Sequence, residues 1–139
     1  MEHQIESLIK DIDEKRIEQL NTKLINQYKY DILEKLQLTK KELNNYHKTL
    51  KNYRYVDEID ELKVGCYIRW FNINNLHSLK LYNGGILTDI ENINNKVILK
   101  CKNFKNRFFK VILNECIVFQ KLTDEELFLI KVFSYIKDI

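Results

Sequence analysis

At 139 residues the chain fits one domain, and a chain of this length buries roughly two-thirds of the surface its unfolded form exposes. Its 23 Lys plus Arg against 20 Asp plus Glu leave a whole-chain field too weak to argue for a nucleic-acid or membrane partner, so any such argument must be local. Cys66, Cys101 and Cys116 lack a CxxC spacing and sit among apolar residues, which excludes a disulfide scaffold, and no apolar run approaches the roughly 20 residues that span a bilayer.

The polar start, Met1 to Lys10, is no secretory signal, so an intracellular protein without membrane insertion is expected. There is no Pro and no Ala, and nineteen Lys stand against four Arg. Residues with GC-rich codons are scarce throughout, so an AT-rich genome accounts for much of the Lys and Asn excess.

Residues 2–53 contain neither Pro nor Gly and keep a helical period. Ile5, Leu8, Ile9 and Ile12 form one apolar stripe; Ile17, Leu20, Leu24 and Tyr28 form the next, offset by about a residue, which signals a stutter or a break. Leu36, Leu43 and Leu50, joined by Tyr46 and Tyr53, give a third stripe. Thr39 and Glu42 hold the spacing of a capping box. The spacing predicts a long helix, then a shorter one over about 40–53. Such stripes pack on the rest of the chain or carry self-association, with Ile5, Leu8, Ile12, Ile17, Leu20 and Leu24 as candidate contacts.

An acidic connector follows over 57–64, with Asp57, Glu58, Asp60 and Glu61; it lacks the Gly and final Glu of a calcium loop and reads as solvated surface. From Gly65 to Asn72, alternation sets Cys66, Ile68 and Trp70 on one face and Tyr67, Arg69 and Phe71 on the other. The second face is rich for solvent, so Tyr67 and Phe71 are candidate docking residues. Gly84 and Gly85 precede a strand rather than a helix, which argues for a turn or bulge and against a phosphate loop. Further strands are expected over 86–90, 97–102, 107–113 and 116–121.

Thr123 and Glu126 form a second capping box, and Leu122 and Leu127 a hydrophobic staple. Leu127, Ile130, Phe133 and Ile136 then predict the buried stripe of a closing helix. The expected fold is α+β: a helical arm over 1–56 (one long and one shorter helix), the connector 57–64, and over 65–139 a five-stranded antiparallel SH3-like barrel with a C-terminal capping helix. A sandwich would require about seven strands.

The strongest local chemical signal is basic. Between Asn92 and Asn114 there is no acidic residue, while Lys96, Lys100, Lys102, Lys105, Arg107 and Lys110 alternate with Phe104 and Phe108. Cations beside aromatics are what single-stranded nucleic acid uses, through phosphate neutralisation and base stacking. A Lys-protected sheet edge gives the same pattern. Tyr67, Trp70 and Phe71 are the material of a methyl-lysine cage, but Trp70 alternates onto the core face. His3, His47 and His77 have no ligand spacing between them. No nucleophile or acid-base pair sits in a catalytic motif, and no cofactor, metal or small-molecule substrate is expected.

The segments Leu62-Lys-Val-Gly-Cys-Tyr-Ile-Arg-Trp-Phe71, Gly84-Gly-Ile-Leu87, Val97-Ile-Leu-Lys100, Phe109-Lys-Val-Ile-Leu113 and Ile117-Val-Phe119 occur in an order that resembles small SH3-like-barrel proteins of nucleocytoplasmic large DNA viruses. The resemblance covers about residues 61–121 and implies a setting: minor particle components or accessory nucleic-acid binders. The expectation is a non-enzymatic structural or interaction protein, in a host cell or a virion, with the barrel as docking module and the arm for self-association. DNA or RNA binding by the surface of residues 96–110 is the alternative.

Overall fold

The computed structural model of the chain describes residues 21–74 and 76–137. Ile5, Leu8, Ile12, Ile17 and Leu20 lie outside the described residues. Asn21 starts helix α1, Thr22–Glu34; its backbone is extended and its side-chain oxygen accepts from the amides of Lys23 and Leu24. This start falls between Leu20 and Leu24, inside the second stripe and not at the offset between the first two. The buried face of α1 is Ile25, Lys29 and Leu33, at four-residue spacing. The stripe expected from the sequence lies one position away: Leu24 and Tyr28 are 38% and 53% exposed.

After a turn in which Gln37 adopts a left-handed φ of 55°, helix α2 spans Lys40–Thr49. Its capping box forms as expected, with Thr39 Oγ1 accepting from the Glu42 amide and Glu42 Oε1 accepting from the Thr39 amide. The far end of α2 has no glycine, and Leu50 caps it with an ordinary negative φ. The carbonyls left over there are taken by Lys29, whose buried ammonium donates to Leu50 O at 2.8 Å and Lys51 O at 3.3 Å. A cation at a helix C-terminus is favoured by the helix dipole, so this lysine fastens α1 to the end of α2.

Six antiparallel strands follow: β1 (Tyr53–Val56), β2 (Tyr67–Asn72), β3 (Gly85–Ile93), β4 (Lys96–Lys102), β5 (Phe108–Ile112) and β6 (Cys116–Lys121), in the spatial order β1-β6-β2-β3-β4-β5. The sheet is open, with β1 and β5 at its edges. The count of five is therefore corrected. Tyr53–Val56, read as the end of the helical arm, pairs with β6 from Tyr53↔Lys121 to Val56↔Val118. Its period-two burial was masked in the sequence by the seven-residue leucine repeat running up to it. Asn94 and Asn95, both at positive φ, make the tight turn between β3 and β4.

Each face of the sheet has its own core. On one, Val56, Ile68, Trp70, Leu87, Leu99, Cys101, Val111 and Val118 pack together with Leu62 of the connector. On the other, Phe71, Ile117 and Phe119 meet Leu33 and Leu50 of the helical layer, with Tyr46 edge-on to Phe71. α1 and α2 therefore cover their own sheet. The acidic connector contains a short 3-10 turn, Ile59–Glu61. Buried Arg54 donates to Glu61 O and lies 3.9 Å from the carboxylates of Glu61 and Glu126, tying β1 and that turn to the last helix.

That last helix, α3, spans Asp124–Lys137, and its Thr123–Glu126 capping box is formed. Its most buried positions are Glu126 and Leu129, not the predicted stripe; Leu127, Ile130 and Phe133 are half-buried and Ile136 is exposed. Glu126 is drawn inward by Arg54, which rotates the helix from the face its apolar residues alone would select. Among the described residues no helix is long and apolar enough to cross a membrane.

Candidate functional site

The β4–β5 hairpin carries most of the basic residues singled out above, and pairing decides which of them act together. Lys102 stands opposite Phe108, Lys100 opposite Lys110, and Ile98 opposite Ile112, all on one face. β3, however, brings acids to that face: Asp89 pairs with Lys100, and Glu91 binds the Lys100 ammonium directly. The absence of acid from 92–114 is thus a property of the segment and not of the surface. Lys100 is neutralised, its pKa raised by the hydrogen bond to Glu91. Lys96 pairs with Ile93 at the opposite end of β4 and is no part of the site.

The hairpin tip remains. Asn103 Oδ1 accepts from the amides of Lys105 and Arg107, Asn103 N donates to Arg107 O, and Asn106 takes the left-handed φ of 61°. This fixed turn presents Phe104 and Phe108, 76% and 69% exposed, with the Lys105 ammonium over the Phe104 ring and Lys102 over Phe108, each at 5.7 Å. Arg107 is exposed on the same turn. Sequence reasoning named both rings among these cations; where the Phe104 ring points is fixed only by the folded turn.

Phe104 also walls a groove of about 560 Å³ between the residue 80–84 loop and β5. Its floor is Trp70, stacked on Tyr82 at 5.7 Å and tilted against Phe109 at 5.3 Å. Lys80, whose ammonium lies 5.4 Å over Tyr82, and Lys110 stand on its walls with a single acid, Glu115. Trp70 reaches the groove from the core face, as its alternation predicts, while Phe71 points the other way and is fully buried. A cage of Tyr67, Trp70 and Phe71 is therefore not assembled, and Phe71 is not a docking residue.

The 80–84 loop is held by β2. Tyr67 OH donates to Asn83 O, and Arg69 Nε donates to Tyr82 O, both at 3.0 Å. Gly84 has φ +84°, and a Cβ there would meet Ile68 O at 1.9 Å; one on Gly85 would meet Lys102 O at 2.5 Å. Both glycines thus serve close backbone packing. No protein-family model, curated protein or solved structure matches the chain. Its chemistry must be read from these side chains alone.

Among the described residues, Glu58, Asp60 and Glu61 are the one group whose ligand atoms converge, within 4.8 Å of one another. Glu61 is committed to Arg54, and burial raises its pKa, so the trio reads as an acidic surface. Two of the three thiols are equally quiet: burial pushes Cys101 up to about 12, and burial with the nearby Glu115 charge pushes Cys116 up to about 11.

Proposed function

We propose that the chain binds single-stranded nucleic acid without chemistry of its own, through the β4–β5 hairpin and the groove beside it. The observation that carries this is the pair of exposed phenylalanines on a fixed turn, each under a lysine ammonium, next to an aromatic-floored groove flanked by Lys80 and Lys110. Exposed rings stack bases, and the cations neutralise the phosphates between them. The partner is DNA or RNA, and no small molecule is required.

The fold is consistent with an SH3-like barrel left open. β2 to β5 form a meander, β6 returns beside β2, and a 3-10 turn over Leu113–Glu115 precedes it; β1 is then an addition to the outer edge of β6. Such barrels host many functions, so the fold adds nothing to the choice of ligand. The sequence resemblance would place the chain in a large DNA virus or its host cell.

The test is titration of labelled single- and double-stranded DNA and RNA at low and physiological salt, comparing wild type with Lys102→Glu/Lys105→Glu/Lys110→Glu. Salt-sensitive binding preferring single strands, weakened at least tenfold by the triple change, is expected. For single strands, each lost phosphate contact should flatten the slope of log K against log salt by about 0.7. Failure of the wild type to bind at low salt would overturn the proposal. A second reading, self-association through the helical arm, draws on the exposed Leu24 and Tyr28, four residues apart on one face of α1. It requires a dimeric mass in solution that Leu24→Asp/Tyr28→Asp reduces to the monomer.

A further inference from the structure

The strand register places one residue from every strand in a single row across the sheet. Tyr53 of β1 pairs with Lys121 of β6, and the Ile68↔Gln120 register sets Tyr67 of β2 beside Lys121. Tyr67 pairs with Ile86 of β3, Ile86 with Lys102 of β4, and Lys102 with Phe108 of β5. Paired residues share a face, so the row reads aromatic, cation, aromatic, aliphatic, cation, aromatic, with no acid in it. Lys121, Ile86 and Phe108 are exposed. At about 4.8 Å per strand gap the row is roughly 24 Å long.

A second groove, of about 370 Å³, lies along the far half of this row. Tyr53, Tyr67, Arg69 and Lys121 line it, and Asn83 and Phe104 join it to the first groove. Phe104 therefore stands between two basic, aromatic depressions.

We propose that a single nucleic-acid strand crosses the sheet along this row, from the hairpin tip over Ile86 to Tyr67, Lys121 and Tyr53, its bases stacking on the rings and its phosphates lying by Lys102, Arg69 and Lys121. The inference rests on the nucleic-acid reading above and extends it from one hairpin to all six strands. A duplex keeps its bases stacked inside and does not offer them to the rings. Length dependence follows: a short strand fills the hairpin end alone, and only a longer one reaches Lys121.

The experiment measures binding of labelled oligothymidylates and oligouridylates of about 4 and about 15 nucleotides, a range typical of single-strand sites. Lys121→Glu and Ile86→Glu each introduce a negative charge at an exposed row position. Lys96→Glu makes the same charge change as Lys121→Glu, roughly 20 Å along β4 from the row. Thermal unfolding confirms that each variant is folded, and either row variant suffices if the other is not. The expected result is that the row variants weaken the 15-mer about tenfold, the scale of one lost stacking or phosphate contact, and the 4-mer less than twofold. Lys96→Glu should leave both nearly unchanged. If the row variants weaken the 15-mer no more than Lys96→Glu does, the path is wrong while hairpin binding stands. If the wild type binds neither length at low salt, both the path and the parent reading fall.

Discussion

A single lysine shows how a charge can be a structural part. Burial lowers the Lys29 ammonium from 10.5 to about 8, while its bonds to Leu50 O and Lys51 O give the proton a reason to stay. Between those two values the unfolded chain binds more protons than the folded one, so this residue makes stability rise with pH there. Denaturant melts of wild type and Lys29→Met, compared from pH 7.5 to 10.5, should show their difference growing in favour of wild type by about 3 kcal/mol. A difference independent of pH would mean the group does not titrate in this window. His47 works on the acid side. Burial and the Lys29 charge lower its pKa, so its contribution declines as pH falls below 6.5. Gly84 is a second single-residue lever: Gly84→Ala meets Ile68 O and a left-handed φ together, and should cost at least 2 kcal/mol while displacing the Tyr82 wall of the groove. Retained stability with unchanged Trp70 fluorescence would contradict that packing.

At the scale of elements, the helix starts were legible and the buried faces were not. Both capping boxes follow from four-residue patterns whose atoms are local, so Thr39–Glu42 and Thr123–Glu126 were readable as they stand. Which face goes inward is decided elsewhere: in α1 by carbonyls at the end of α2 that call for Lys29, and in α3 by Arg54, which calls for Glu126. Periodicity counts apolar residues and cannot see a buried charge whose partner is on another element. The candidate surface was half legible for the same reason: the sequence named Lys102, Lys105 and Phe108, whereas the acid that β3 brings to Lys100 and the row that sets Tyr53 and Lys121 beside Tyr67 follow only from cross-strand register. The two capping boxes differ in context, which supplies a prediction. Thr39→Ala should cost about 1 kcal/mol, whereas Glu126→Ala removes a cap and a partner of buried Arg54 and should cost about 3 kcal/mol or more. Equal costs in chemical denaturation would show that the Arg54 contact carries no weight.

At the scale of the whole molecule, β6 joins the helical layer to the sheet by serving both cores: Val118 lies in one, Ile117 and Phe119 in the other. Phe119→Ala, at a site with no exposure, should cost about 3–5 kcal/mol and loosen α1 and the strands together, seen as coincident far-ultraviolet and tyrosine-fluorescence transitions. Separate transitions would mean the layers fold independently. The central place of β6 also sets a timetable for synthesis. β1 and β2 are made before β6 but are both its neighbours, and β1 has no other partner in the sheet. A nascent chain that has not yet released residue 121 from the ribosome carries α1, α2 and β1 without the Ile117 and Phe119 they pack against, so a translational pause just before β6 would be a moment at which this protein exposes apolar surface to a chaperone.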